Sequence, residues 1–298
     1  MDDAPSGVLV VDKAAGLTSH GVVGRVRRLL GTRKVGHAGT LDPMATGVLV
    51  VGVGRATRLL GHLTLTDKAY EATVRLGVGT LTDDAEGDVV STPGLTGLDD
   101  ATLEAALAPL RGPILQVPTA VSAIKVDGVR SYARVRAGAE VDLPARPVTV
   151  HRLEVLARRD ALVDGVAVVD LDVVVECTSG TYVRALARDL GAALGSAGHL
   201  TALRRTRVGP FGLDEAVVLP EPGPDAVRPV VEPIAEAAAR CFPVVRVDAR
   251  QEADVRVGRR LADVELDALS ALLAPDGTFL ALYRPGPDGA RPEAVFVG

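Results

Sequence analysis

Asp42 lies in the stretch KVGHAGTLDPMATGVLVVGVG, residues 34–54, which starts basic, is threaded with glycine and then runs into an apolar segment. Pro43 biases the residue before it toward extended backbone, so Asp42 is predicted at a bend and not inside a helix. Gly36 and Gly39 allow tight turning around it. Two readings of Asp42 stand side by side here. Most Asp-Pro pairs serve an Asx-turn or a cap, whereas a carboxylate held on a loop can act as nucleophile or base. His37, taken alone, reads as a satisfied loop histidine.

Two further segments bear on that choice. Tyr70 ends DKAY and Tyr182 lies in SGTYVR, in a chain with four Tyr, four Phe and no Trp. A single tyrosine at a strand end is ordinary packing. Two can form stacking faces for an unpaired base, as single-stranded RNA recognition requires. Arg184, two residues beyond Tyr182, suits a carboxylate partner, and such a pair would keep Asp42 ionised against desolvation.

The elements that must position these groups are readable. A strand covers Val8–Val11, and Ser19 is placed to cap the helix GVVGRVRRLLG, which Gly31 ends. GVLVVGVG is apolar on both faces and so central in a sheet. A short helix and a strand from Tyr70 to Leu76 follow, then an acidic loop and a helix from Asp100 to Leu110. SAIKVDGVRSYARVRAG reads as a strand, a turn at Asp127-Gly128 and a helix. GVAVVDLDVVVEC is a strand, and TSGTYVRALARDLGAALG turns into a helix with Val183, Leu186, Leu190 and Leu194 on one side. Residues 219–233 hold five prolines and form the best linker candidate. Beyond them, residues 240–298 show short strands and turns at Asp276-Gly277 and Asp288-Gly289, a small, mainly β module.

Composition narrows the classes. The chain has 298 residues, 47% hydrophobic, with two cysteines and a net charge of −5. No apolar run approaches the roughly 18 residues of a membrane span, and the N-terminus lacks a signal-like pattern, so the cytoplasm is the expected compartment. Residues 1–62 hold eight Lys and Arg against four Asp, leaving the remainder acidic. A second basic stretch, LRRTRVG, carries Arg204, Arg205 and Arg207. Two basic patches on an acidic chain suit a polyanion held on one face; ordinary solvated surface explains them equally well. Gly52 and Gly54 fail the dinucleotide fingerprint because Thr57 takes its sixth position. No phosphate-binding loop motif is present, and the five histidines show no metal-ligand spacing. Chemistry without cofactor or metal is expected.

GHAGTLDPMATGVL resembles the catalytic motif of bacterial TruB-type tRNA pseudouridine synthases. LVVDKAAGLTSHGVV, DKAY, VPTAVSAIKVDGVRSYARVRAG, ECTSGTYVRALARDLG and HLTALRRTRVGPF follow in that family's order, so the resemblance covers residues 7–215. The C-terminal module resembles the family's PUA-like domain more weakly. The resemblance implies a pseudouridine-synthase fold: α/β of the α+β kind, a mixed, largely antiparallel sheet flanked by helices, with a small β-rich PUA-like domain. The expected division is a catalytic domain over 1–232 and an RNA-binding domain over 233–298. The implied reaction turns the T-loop uridine of tRNA into pseudouridine after base flipping. Asp42 is then the catalytic aspartate, and His37 helps open the T-loop and hold the flipped nucleotide. Tyr70 stacks on the base, Tyr182 and Leu203 line its pocket, Arg184 pairs with Asp42, and Lys125 lies near the cleft. The implied partner is the tRNA T-arm; no membrane, protein partner or cofactor is expected, and the chain is expected to be a monomer.

One departure falls in the acidic loop GTLTDDAEGD, where Leu81 replaces the acid found more often in the family while Asp84 matches the later one. Three other readings separate by experiment. A guide-RNA-directed synthase is disfavoured by the absence of long basic extensions and by a start almost at the first strand. A non-catalytic tRNA-binding or folding protein would keep the fold without turnover. A carboxylate-dependent nucleosidase would release free uracil.

Overall fold

The computed structural model describes residues 5–119 and 143–297, and the backbone of two short strands, Lys125–Val126 and Val129–Arg130. The expected turn at Asp127-Gly128 and the helix after it lie outside the described residues. In chain order the first elements are β1 (Gly7–Lys13), α1 (Ser19–Leu30), β2 (Val35–Ala38), β3 (Thr46–Val53), α2 (Leu60–Leu63), β4 (Lys68–Leu76), β5 (Gly79–Thr80) and β6 (Val89–Ser91). After α3 (Asp100–Leu107) and β7 (Gly112–Gln116) come β8 and β9, the two short strands, then β10 (Arg146–Val163), β11 (Val166–Cys177), α4 (Val183–Ala193) and β12 (Gly198–Val208). The C-terminal part holds β13 (Phe211–Gly212), β14 (Glu232–Pro233), α5 (Ile234–Cys241), β15 (Val244–Arg246), α6 (Ala249–Arg256), β16 (Ser270–Leu273), β17 (Phe279–Arg284) and β18 (Arg291–Val295).

A ten-stranded sheet runs β14-β1-β3-β12-β4-β11-β10-β7, with β13 beside β12 and β2 beside β3. Its pairs are antiparallel except for β3 with β12, which touch only at Arg204↔Thr46 and Arg205↔Gly47. Beside this contact the loop residues 39–42 and Leu203 and Arg205 of β12 line a cavity. Gly47 makes the contact possible. Its φ is 99°, and a Cβ would stand 2.2 Å from the Arg205 carbonyl oxygen, so only glycine fits both the backbone and the space.

The two apolar faces of β3 have separate covers. Leu49, Val51 and Val53 join Val22, Val26, Leu186 and Leu190 in a core beneath α1 and α4. Val48 and Val50 point the other way, into a core shared with Ala237 and Ala238 of α5, with Leu273, Phe279 and Leu282 of the C-terminal strands, and with Phe296 just past β18. Residue alternation along a strand divides the two sets. The four-stranded C-terminal sheet, β15-β16-β17-β18, therefore packs on the main sheet. Arg240 reinforces the seam, pairing with Glu215 and Glu232 over the Phe211 ring.

Helix α1 ends as expected, with Gly31 left-handed at φ 65°. Its start differs from expectation. Thr18, not Ser19, is the N-cap, accepting the Gly21 N–H at 2.9 Å. Ser19 turns inward, and its hydroxyl is used elsewhere.

Candidate active site

Asp42 sits on the loop between β2 and β3, where its carbonyl accepts the Ala45 N–H at 3.1 Å and closes a turn across Pro43. The carboxylate takes no part in that turn. Arg184 Nε lies 3.0 Å from Asp42 Oδ2, and a second guanidinium nitrogen donates to Oδ1 at 3.3 Å. This is the two-pronged geometry that suits arginine to a carboxylate. Arg184 belongs to the first turn of α4 and is buried. Its remaining terminal nitrogen reaches the Thr82 carbonyl at 2.7 Å and Asp84 at 3.3 Å. Asp84 is in turn held by the Thr82 hydroxyl and the Glu86 N–H, so the acidic loop is tied to the same arginine.

The loop carrying Asp42 is secured residue by residue. Arg205 donates to the Gly39 and Thr40 carbonyls, each at 3.2 Å. The Ser19 hydroxyl accepts the Leu41 N–H at 2.8 Å and donates to the Leu41 carbonyl at 3.0 Å. Lys13 Nζ donates to the Pro43 carbonyl at 3.0 Å and to the Leu17 carbonyl at 2.6 Å. On the outer side Glu86 accepts the Met44 N–H at 3.3 Å.

A cavity of about 390 Å³ opens over the carboxylate. Tyr70, Tyr182, Leu203, Lys68, Arg184 and Arg205 are among its walls. Tyr70 comes from β4, opposite Val175 and Arg205. Leu203 and Arg205 stand two residues apart on β12 and so share its cavity face. Tyr182 precedes α4, and its backbone is fixed by Gln116, which both accepts from the Tyr182 N–H at 2.8 Å and donates to its carbonyl at 3.1 Å. Five residues singled out in the sequence, Asp42, Tyr70, Tyr182, Arg184 and Leu203, thus converge. His37 does not line the cavity. It lies on β2, half-buried, with its Nδ1 lacking a hydrogen-bond partner among the described residues. Lys125 falls on β8, and its side chain lies outside the described residues.

Burial dominates the electrostatics of the site. A third of the Asp42 side chain remains open through the cavity mouth, while protein surrounds the rest. That burial raises its carboxyl above the ordinary carboxylate range. Arg184 pulls it back down, and Asp84 adds to the rise. Arg184 therefore offsets part of the desolvation expected to disfavour the ionised form, without reversing it. Burial, helped by the positive Arg205, lowers the His37 imidazole and so disfavours its charged form. Burial raises the Tyr70 phenol and brings Lys13 and Lys68 down to about 8.

The basic stretch at residues 204–207 is not the surface patch expected from sequence. Arg205 is 1% exposed, Arg204 pairs with Asp12 at 2.7 Å, and Arg207 pairs with Glu176 at 2.9 Å. Lys13, counted with the N-terminal cations, is also buried. Sequence reading passed over Lys13, Ser19, Lys68 and Arg205 as parts of the site. DKAAGLTSH, DKAY and LRRTR carried them in view, but as a loop and a cap, a strand start and a charge run. Among the described residues no group of three or more His, Cys, Asp or Glu is placed to hold a metal ion. No described helix is long and apolar enough to cross a membrane.

Comparison with known proteins identifies the family. Residues 27–183 match the family model "TruB family pseudouridylate synthase (N terminal domain)". Residues 184–221 match "tRNA pseudouridylate synthase B C-terminal domain" and residues 242–297 "tRNA Pseudouridine synthase II, C terminal". The chain is similar to tRNA pseudouridine synthase B of Cutibacterium acnes, 63% identical over 286 residues that cover 96% of this chain and 95% of that protein. The corresponding protein of Nocardia farcinica is 59% identical over 295 residues, covering 99% of this chain and 94% of its own. Among solved structures, a chain of a Cbf5-Nop10-Gar1 complex superposes with a TM-score of 0.70 at 26% identity, covering 98% of this chain and 85% of that one. By the family model, the curated relatives and the shared fold, the chain belongs to the TruB family of pseudouridylate synthases.

Proposed function

We propose that this chain is a tRNA pseudouridine synthase that isomerises the T-loop uridine. The observation that carries the reading is a single carboxylate, Asp42, held by a buried arginine at the base of a cavity walled by two tyrosine rings and a leucine. A base cannot be reached inside a stacked loop, so the uridine is flipped into the cavity. Its N1–C1′ bond breaks, the uracil turns, and a C5–C1′ bond forms. The proton leaves C5 and N1 ends protonated, so the reaction is an isomerisation with no co-reactant. Asp42 acts in the chemical step. Tyr70 stacks on the base, Tyr182 and Leu203 line the pocket, and Arg184 sets the carboxylate. His37 helps open the T-loop and hold the flipped nucleotide, and Lys125 lies near the cleft. A dry pocket strengthens these interactions and excludes the water that would hydrolyse the glycosidic bond.

We place the catalytic domain at residues 1–232 and the RNA-binding PUA-like domain at 233–298. The substrate is the tRNA T-arm, and the chain acts alone, as a monomer in the cytoplasm. Near-complete mutual coverage with relatives named tRNA pseudouridine synthase B supports tRNA as the substrate. The test is tritium release from tRNA labelled at C5 of uridine, with the modified position mapped. Release at the T-loop uridine with pseudouridine as product is expected. Binding without release would make the chain a tRNA-binding relative, and free uracil would make it a nucleosidase.

A further inference from the structure

Two cations of the cavity wall, Lys68 and Arg205, are buried and pair with no carboxylate among the described residues. Lys68 donates to the nearby Thr64 and Thr66 carbonyls. Arg205 is the more deeply buried and reaches segments far from it in sequence. A buried charge without an ionic partner is expensive unless its donors are satisfied and its position is needed. The Arg205 donors reach three carbonyls on two segments. Nε donates to the Val48 carbonyl of β3 at 2.8 Å, while the two terminal nitrogens donate to Thr40 and Gly39 of the loop. The backbone of Arg205 meets β3 again at Gly47, where the strands touch. One rigid planar group therefore spans the wall carrying Leu203, the strand leaving the loop, and the loop itself. A lysine at this position has a single nitrogen and cannot reach all three carbonyls in those directions.

We propose that Arg205 is a positioning residue for Asp42. It fixes the Gly39–Thr40 segment against β3 and β12, so that the carboxylate and the Leu203 wall keep one separation as the nucleotide enters. Ser19 holds the next residue, Leu41, from the opposite side. The proposal rests on Asp42 being the reacting carboxylate. Displacement of a reacting group by about 1 Å costs on the order of 100-fold in rate, and that is the loss expected when the guanidinium is removed.

The test compares Arg205→Lys with wild type in three readouts: single-turnover isomerisation at saturating enzyme, tRNA affinity, and amide hydrogen exchange of the free protein. The expected result is a rate about 100-fold lower with affinity retained. Exchange should quicken at the Leu41 and Ala45 amides and stay unchanged in β3 and β4. Wild-type rate in the lysine variant overturns the proposal. So does a general loss of protection through β3 and β4 together with failure to bind tRNA, which would make Arg205 a fold-keeping residue only. If the lysine variant does not fold, Ser19→Ala carries the test. Because that change strips the Leu41 amide of its own acceptor, the readout is the Ala45 amide. A lower single-turnover rate with faster exchange there is expected, and wild-type rate with wild-type Ala45 exchange would overturn the clamp. Exchange needs no RNA, so failure of wild type to isomerise uridine would be seen separately from failure of the clamp.

Discussion

Two arginine-rich regions that look alike in sequence have opposite fates. At the sheet end where β2 starts and β3 stops, Arg33, Lys34, Arg55 and Arg58 are exposed, as is Arg28 on the last turn of α1, and none of them makes an ion pair among the described residues. Gly54 donates its N–H to the Lys34 carbonyl, which brings the cations of the two segments together. On β12 the three arginines are spent internally, Arg204 on Asp12, Arg207 on Glu176 and Arg205 on backbone carbonyls. A run of cations on a strand is not one patch, because neighbours point to opposite faces. Cations at helix ends and turns project together into solvent. Charge buried at the cavity is spent on carbonyls and carboxylates of the chain, and the exposed charge at the sheet end has no carboxylate partner among the described residues.

The largest effect should come from the buried side of this contrast. Asp42→Asn is expected to abolish tritium release while tRNA binding survives, because the change removes the reacting carboxylate and leaves the exposed cations alone. Wild-type turnover in that variant would end the assignment. The same group sets the acid limb of wild-type activity. Burial raises its pKa above 3.8, so as pH falls the carboxylate is protonated, and activity lost, earlier than for a free aspartate. A single-turnover pH profile with its acid midpoint at or below 3.8 would contradict this. Tyr70→Ala should rank next, losing roughly 1–3 kcal/mol of base positioning. A wild-type single-turnover rate would show that the ring only packs.

The exposed side sharpens the contrast through salt. Replacing Arg28, Arg33, Lys34 and Arg55 together by glutamine should weaken tRNA binding and flatten its dependence on ionic strength, by about 0.7–0.9 in logarithmic slope for each phosphate no longer neutralised. Chemistry on saturated enzyme should be unchanged. An unaltered slope would mean that the RNA does not run over this end of the sheet.

What the sequence disclosed follows the same division. Strands with a regular apolar pattern were readable, as were α3, α4 and the Gly31 terminus, because local pattern and tertiary burial agree there. The pairing of Arg184 with Asp42 was also anticipated from residue type. The burial of Lys13 and Arg205 was not, since a charge beside other charges reads as surface, and only the three-dimensional path of the loop supplies the carbonyls that accept it. Thr18 and Ser19 are equally good caps by type, and the hydrogen bonds of Ser19 to Leu41, 22 residues away, decide between them. The 18-residue strand β10 escaped notice because its second half, Leu156 to Val163, is largely exposed and rich in charge, so its alternation is lost. Helix α6 is polar, with Val255 its buried residue, and it too carries little periodic signal.

The smallest effect expected is also the sharpest test of the comparison. Arg204 and Arg207 are each more than a third exposed, so charge counting would assign them to RNA as readily as Arg33. Both already face carboxylates, and engaging a phosphate would leave Asp12 without its arginine, or Glu176 with Arg152 alone at 3.7 Å, beside the RNA backbone. The double variant Arg204→Gln/Arg207→Gln should therefore leave the salt slope of tRNA binding at its wild-type value. Its folding stability should fall by no more than about 2 kcal/mol, up to about 1 kcal/mol for each of the two partly exposed ion pairs. A slope flattened as much as in the four-site variant would place both arginines on the RNA and erase the distinction between the two regions. An unchanged slope would fix it to the side on which each side chain emerges.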